Sequence, residues 1–249
     1  MPIVSFPIGR RRFAPSWPMT LLTIALCLAF VRLGNWQWDR GVRRQAEWDA
    51  FARGADAPVP LGSRSLRQFG RFRRIAVSGR WDAAHQFLLD NRSHAGLPGY
   101  EVLTPLQLAD GRVLLVDRGW VAFTGSRARL PQIGVEASQP AFLTGRLDNL
   151  PVGGLALGHA APAGDAAWPK VTSYPTFAEL TAALGHPVGP WILLLDPAGS
   201  GGYVRDWQPP GLPPLRHLSY AIQWWGFAVT LLIIWGIMSA RPREPKKSS

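Results

Sequence analysis

The 249 residues carry 27 Lys or Arg against 16 Asp or Glu, a formal charge of +11, but the surplus is concentrated at the ends. Arg10, Arg11 and Arg12 supply three units and the residues after Ser239 a net three more, leaving +5 for everything between. No basic stripe interleaved with aromatics accompanies the charge, which excludes a nucleic-acid-binding reading. The single cysteine, Cys27, excludes a disulfide framework and the paired thiolates of a copper chaperone.

In chain order, residues 1–12 read as a basic cytoplasmic tail, and Phe13 to Leu33 is almost wholly apolar, long enough as a helix for the roughly 30 Å of a bilayer core. No small-x-small cleavage site follows it before Trp36, so it is expected to remain as an anchor. Residues 34–55 continue as a helical extension and linker: Trp38, Val42 and Ala46 have helical spacing, Gly54 offers a stop, and Pro58 and Pro60 oppose both helix and central strand. A domain of residues 56–217 is expected to begin near Asp56.

That domain has strand grammar. IAVSGRW, HQFLLDNR, YEVLTPLQL, RVLLVDRGWV, AFLTGRL and WILLLD are short runs rich in Val, Leu and aromatics, separated by Gly, Pro, Asn and Asp. They predict a β-rich antiparallel sandwich or barrel with one or two helices. Ala109-Asp110-Gly111 predicts a hairpin, and Pro105 within its first arm predicts an edge or a bulge. A soluble helix is expected over Phe177 to Leu184, capped by Thr176 and Glu179 and stopped at Gly185. Pro151 to Pro169, rich in Gly, Ala and Pro, reads as a long loop. Residues 218–238 form a second apolar span and 239–249 a second basic tail. The fold class is therefore a membrane protein, with two transmembrane helices flanking an extracytoplasmic β-rich domain.

Enzymatic chemistry finds little support. Ser200 lies in a glycine-rich turn without the strand-elbow-helix setting of a serine nucleophile. His85, Asp90 and His94 match no metal-ligand spacing, and the phosphate-binding and dinucleotide fingerprints are absent. The chain reads as a non-enzyme, and a membrane-tethered hydrolase is the weakest alternative.

The constellation of interest is at the outer border of the second span. His217, Tyr220, Ala221 and Trp224 fall on one helix face, and Trp36 and Trp38 leave the first span at about the same level. One reading is an interfacial aromatic belt. The other is a porphyrin site, in which His217, at a helix start that favours uncharged imidazole, ligates haem iron beside flat side chains. Arg216, Arg32 or Arg40 would then meet the propionates.

LGNWQWDR after the first span, DNRSHAGLPGYEVLTPL, VLLVDRGWV, and HLSYAIQWW opening the second span resemble the surfeit locus protein 1 family, in order and over nearly the whole chain. The matched positions are Gly34, Trp36, Gln37 and Arg40; Asn91, Arg92, Gly99, Tyr100 and Pro105; Arg118 and Gly119; and His217, Tyr220 and Trp224. Arg216 departs from the Asn or Glu that often precedes the histidine, and Arg43 or Arg44 stands where a lysine often follows the first motif. The resemblance implies an assembly factor for haem-copper cytochrome oxidase that supports maturation of subunit I around haem a insertion, alongside other assembly factors. It implies His217 as a haem-iron ligand, with Tyr220, Trp224, Trp36 and Arg216 expected around the cofactor. A membrane-anchored periplasmic scaffold or ligand sensor without cofactor is the alternative, although the cytoplasmic tails are too short for an output domain.

The basic clusters at both ends and the Arg-dominated composition place the chain in a bacterial inner membrane, both termini cytoplasmic and the main domain periplasmic. Reporter fusions after Arg12 and after Arg243 are expected to report cytoplasm, and an insertion in the Pro151 to Pro169 loop the opposite side. A cytoplasmic signal from the loop would rule out this topology.

Overall fold

The structure is a computed structural model that describes residues 6–8, 11–54, 57–138, 140–152, 158–197, 203–209 and 211–242. Asp56, Ser200, Arg10, Arg243, Lys246, Lys247 and part of the expected Pro151 to Pro169 loop lie outside the described residues. The elements are β1 (Phe6–Ile8), β2 (Arg11–Phe13), α1 (Trp17–Arg53), β3 (Val59–Pro60), a short 3-10 turn (Leu66–Gln68), β4 (Arg74–Trp81), β5 (Phe87–His94), β6 (Leu97–Leu108), β7 (Val113–Ala122), β8 (Ala141–Asp148), β9 (Lys170–Thr172), α2 (Phe177–Leu184), β10 (Val188–Leu195), α3 (Pro214–Ser239) and β11 (Ala240–Pro242). They divide into two compact units, Met1–Asp49 with Pro209–Ser249, and Ala50–Gln208. The β unit thus starts before Asp56 and ends at Gln208, and His217 belongs to α3.

In the first unit α1 and α3 pair antiparallel, and each is long and apolar enough to cross a membrane. Their residues are distributed as a lipid-facing pair requires. Leu22, Leu28, Ile222, Val229 and Ile237 point outward, while Thr23, Gly34 and Gly41 of α1 and Ala221 and Ala228 of α3 are buried. Lipid tails are as apolar as leucine, so such helices associate through close packing and hydrogen bonds. A side chain at Gly34 would collide with the Trp225 indole, and one at Gly41 would come within 2.7 Å of Leu218. Polar contacts recur along the seam: Trp235 Nε1 donates to Thr20 Oγ1 (3.1 Å), and Trp225 Nε1 to Asn35 Oδ1 (3.2 Å).

Helix α1 begins at Trp17, and Phe13, the expected start of the span, ends β2. The expected basic tails contribute to a three-stranded antiparallel sheet, β1-β2-β11, with Phe13 opposite Ala240. Ala14 N donates to Ser239 O at 2.8 Å, so the residues flanking α1 and α3 meet at one end of the helix pair.

The second unit is the barrel alternative of the two expected β architectures. Strands β4, β8, β10, β7 and β6 are hydrogen-bonded in that order and β6 returns to β4, closing a five-stranded barrel, with β5 and β9 added beyond β6 and β3 beside β4. One barrel pair, β7 with β10, is parallel. The long connection through α2 brings the chain back in the same direction, which hairpins alone cannot do. Closure depends on the twelve-residue β6, which pairs with β5 up to Leu103 and with β4 from Leu106. Pro105 falls at this changeover, where its missing N–H leaves no ladder bond unmade, and its carbonyl accepts from Asp82 N (2.9 Å). The expected hairpin turn is present, with Gly111 at φ +82° and its N–H donating to Leu108 O at 3.0 Å.

Alternating residues fill the barrel: Ile75, Val77, Leu106, Leu114, Val116, Leu143, Leu147 and Leu193 form one core. A second lies under α2, where Leu180 packs on Phe87, Leu103, Leu115 and Ile192. The expected capping box is complete, with Thr176 Oγ1 accepting from Glu179 N and Glu179 accepting from Thr176 N, and Gly185 at φ +72° ends the helix.

Between the cores runs a line of buried charge on β6 and β7. Arg118 is only 2% exposed. Its guanidinium donates to Gln86 Oε1 (3.1 Å), Ile133 O (3.1 Å) and Gly134 O (2.9 Å) and lies 5.0 Å from the Tyr203 ring centroid. Its carbonyl accepts from Tyr203 N and Arg205 Nε, both at 3.0 Å, so one residue anchors the 133–134 loop and the 203–205 strap. Gly119 follows at φ +116°, and a side chain there would come within 2.7 Å of Val204 O.

Asp117, 1% exposed, accepts from Gly119 N at 3.0 Å. Burial pushes its carboxyl well above the usual range, and the nearby Glu101 pushes it further, with Arg92 and Arg205 partly opposing. Glu101 is itself raised, by burial, against the pull of Arg92 3.0 Å away. A carboxyl raised by folding stabilises the fold fully below its unfolded value, and that contribution is lost as pH rises through the folded value. Asp117→Asn, which keeps an oxygen for Gly119 N–H, is therefore expected to unfold at a higher temperature than the parent at neutral pH. The difference should narrow as pH falls toward the ordinary carboxylate range. Scanning thermal unfolding of the full chain in detergent across pH measures this, and a difference independent of pH would refute the assignment.

Candidate functional site

His217 lies in the first turn of α3, which Pro213 precedes and Pro214 opens, a residue suited to the start of a helix. Its ring faces α1. Nδ1 is 2.9 Å from Oε1 of Gln37, and the imidazole sits beside Gly41, where a side chain would approach His217 Cβ to 3.5 Å. An amide oxygen only accepts, so in a neutral ring this contact places the proton on Nδ1 and the lone pair on Nε2. The half-buried ring is thereby oriented by a partner 180 positions away in sequence.

The other expected site residues are placed differently. Trp224 is on the same seam, its ring stacked on Phe30 at 5.8 Å and edge-on to Phe227 at 5.7 Å, so it forms part of a three-ring cluster at the helix pair. Ala221 is fully buried between the helices. Tyr220 is 46% exposed and Arg216 is exposed, so both remain accessible beside His217 on the outer flank of α3. Trp36 is 49% exposed with the Arg40 guanidinium 5.0 Å over its ring. At about 100° per residue it points roughly 200° around α1 from Gly34 and thus away from the seam. The structure joins His217 and Trp224 to α1, leaves Tyr220 and Arg216 beside them, and sets Trp36 apart.

Nothing in the residue pattern of the second span points to Gln37 as the partner of His217. The usable signal is its position three residues after Gly34 and four before Gly41, which puts a polar side chain on a helix face otherwise made of small residues.

The motif positions of the β unit also come together. Asn91, Arg92, Gly99, Tyr100, Arg118 and Gly119 lie on β5, β6 and β7. Asn91 adopts φ +59° and donates through Nδ2 to Ser173 Oγ at 3.3 Å, and Arg92 pairs with Glu101. Tyr100 is buried with Leu88 and Ile133, its phenol raised chiefly by burial. These contacts order the sheet.

His85 pairs with Asp82 at 2.8 Å, Asp90 with Arg127, and His94 packs on Trp120 at 5.4 Å, so the three are held by separate partners. Among the described residues no group of three or more His, Cys, Asp or Glu is arranged to hold a metal ion.

Comparison with known proteins bears on the whole chain. A SURF1-like protein of Dictyostelium discoideum is 32% identical over 107 residues, 37% of this chain and 38% of its own length. SURF1-like proteins of Mycobacterium bovis and Mycobacterium tuberculosis, both described as uncharacterized, are each 28% identical over 226 residues, 86% of this chain and 80% of theirs. The model of the SURF1 family matches residues 24–229, from within α1 through the barrel and well into α3. This chain belongs to the SURF1 family.

Proposed function

We propose that the protein is a non-enzymatic assembly factor for haem-copper cytochrome oxidase, supporting maturation of subunit I by holding haem a transiently at the membrane border. The observation that carries this reading is His217: a histidine oriented by Gln37 through Nδ1, half-buried between two membrane helices, with Nε2 unused by that contact. It sits in a chain whose family membership extends across both helices and the barrel. Both termini are taken to be cytoplasmic and the barrel periplasmic, with the oxidase subunit and other assembly factors as partners.

The residues present fit a porphyrin on one side. His217 Nε2 would face the iron, Tyr220 would offer a flat exposed ring, and Arg216 a cation for a propionate. Trp224 would act indirectly, because its face is stacked on Phe30. Trp36, paired with Arg40, is better suited to the bilayer interface or to a partner. When bound, haem a supplies the redox-active iron that the oxidase needs. This chain's own contribution is to present an imidazole in one tautomer, to shield one side of it with α1, and to leave the other side open. A single protein ligand gives loose retention, which suits transfer to a recipient.

Purified protein loaded with haem a is expected to show Soret and α-band positions that His217→Ala shifts or abolishes. Thermal unfolding of that variant should change little, since one border side chain adds little to either helix. Gln37→Leu should retain binding but weaken it, by about tenfold if it behaves as a metal site's hydrogen-bonding neighbour. His85→Ala and His94→Ala, held by Asp82 and Trp120, should leave the spectrum unchanged. An unaltered spectrum in His217→Ala would remove the ligand assignment and leave His217 as part of an interfacial anchor. Membranes of a deletion strain should then decide whether the oxidase haem signal still depends on the protein.

A further inference from the structure

From Ala57 to Trp81 the chain has six arginines and no carboxylate. Two of these arginines are neutralised: Arg71 pairs with Asp148 at 2.5 Å and Arg74 with Asp196 at 2.6 Å. Arg64 donates to Pro60 O and lies 5.0 Å from the Phe69 ring. Arg67, Arg73 and Arg80 are exposed. The segment cannot withdraw, because Leu61, Leu66, Phe69 and Phe72 are buried and pin it to the barrel.

Beside this segment the outer surface of β4 and β8 is hollow. Ala76 opposes Thr144 and Ser78 opposes Phe142, so short side chains floor a cavity of about 620 Å³, with Pro60 and Leu61 on its far side. Phe142 stands at its rim 85% exposed. Arg80 projects from the same face of β4, two residues beyond Ser78. A second cavity of about 820 Å³, which Arg67 helps to line, adjoins the first. Between them lie Arg112 and Asp110, paired at 2.6 Å; Arg112 also donates to Arg64 O at 2.7 Å and Gly62 O at 3.1 Å and so fixes the separating ridge.

We infer that these two cavities form a docking surface for an acidic segment of a partner protein, in which an apolar side chain packs against Phe142 and flanking carboxylates meet Arg80 and Arg67. An aromatic side chain exposed beside a hollow of small residues provides the apolar contact. The carboxylate that lines both cavities, Asp110, is paired with Arg112. The exposed Arg67 and Arg80 therefore set the sign of the partner's charge, and the pinned backbone spares the partner the cost of ordering the site. The surface lies wholly within the β unit and does not depend on the haem reading.

The test uses the full chain in detergent and a fluorescent, amidated peptide with one leucine flanked by three glutamates on each side. Saturable binding is expected, weakening with salt as exposed ion pairs do. Phe142→Ser and the double variant Arg67→Glu with Arg80→Glu should each raise Kd about tenfold, equivalent to about 1.4 kcal/mol. Both act at exposed positions, so unchanged thermal unfolding separates lost binding from lost fold. Replacing the peptide's leucine by glycine should cost a similar factor, and replacing its glutamates by lysines should abolish binding. Equal binding of the leucine and glycine peptides would overturn the proposal, leaving only a diffuse charge effect. So would wild-type affinity in Phe142→Ser, or binding of anionic phosphatidylglycerol vesicles at Arg67 and Arg80 with no peptide binding.

Discussion

The barrel depends on one strand serving two partners in succession. Strand β6 leaves β5 after Leu103 and joins β4 at Leu106, and without that transfer the sheet would remain open, with Gly79–Trp81 of β4 and Leu106–Leu108 of β6 unpaired on their facing sides. A proline at the point of transfer costs little, because neither ladder asks for its N–H. Closure then dictates what lies inside. Side chains of β6 and β7 that face inward fill the interior with Leu and Val, and the bulge between Glu101 and Leu103 brings Glu101 and Asp117 close enough to influence each other. The buried carboxyls cost stability at neutral pH and are held by the same network that fixes Arg118 and the strap beyond it.

The helix pair answers a different solvent with different means. Its outward surface is the apolar one, and its seam is built from Gly34, Gly41, Ala221 and Ala228, so backbones approach closely enough for indole and amide groups to reach across. Three such bonds, from Trp235, Trp225 and His217, fall on one continuous seam. The same packing that associates the helices orients the imidazole, so substitutions at Gly41 would disturb both. In the β unit the residues of the DNRSHAGLPGY and VDRGW segments act mainly in folding: Arg118 is a buried anchor, Gly119 permits a close backbone approach, and Arg92 is tied to Glu101.

Much of this was legible in the residues themselves. Apolar length gave the two helices, short runs rich in Val, Leu and aromatics gave most of the strands, Asp110-Gly111 gave a turn, and Thr176 with Glu179 gave a cap. What escaped was non-local. The parallel pairing of β10 with β7 depends on the path taken through α2, and barrel closure on a register that only the assembled sheet defines. The β2 and β11 strands are three residues long and escaped because so short a run carries no period. For the border site the sequence singled out His217 from its helix position, but placed Trp36 beside it by depth alone. Rotation about α1 puts Trp36 on another face and brings Gln37 to the histidine.

The small β1-β2-β11 sheet has a mechanical consequence. By joining the residues just before α1 to those just after α3, it ties the two helices at one end. From there Phe13 and Thr20 both meet Trp235, and farther along the same seam Gln37 meets His217. The register that brings Gln37 opposite the imidazole is thus fixed at these few strand residues as well as along the seam.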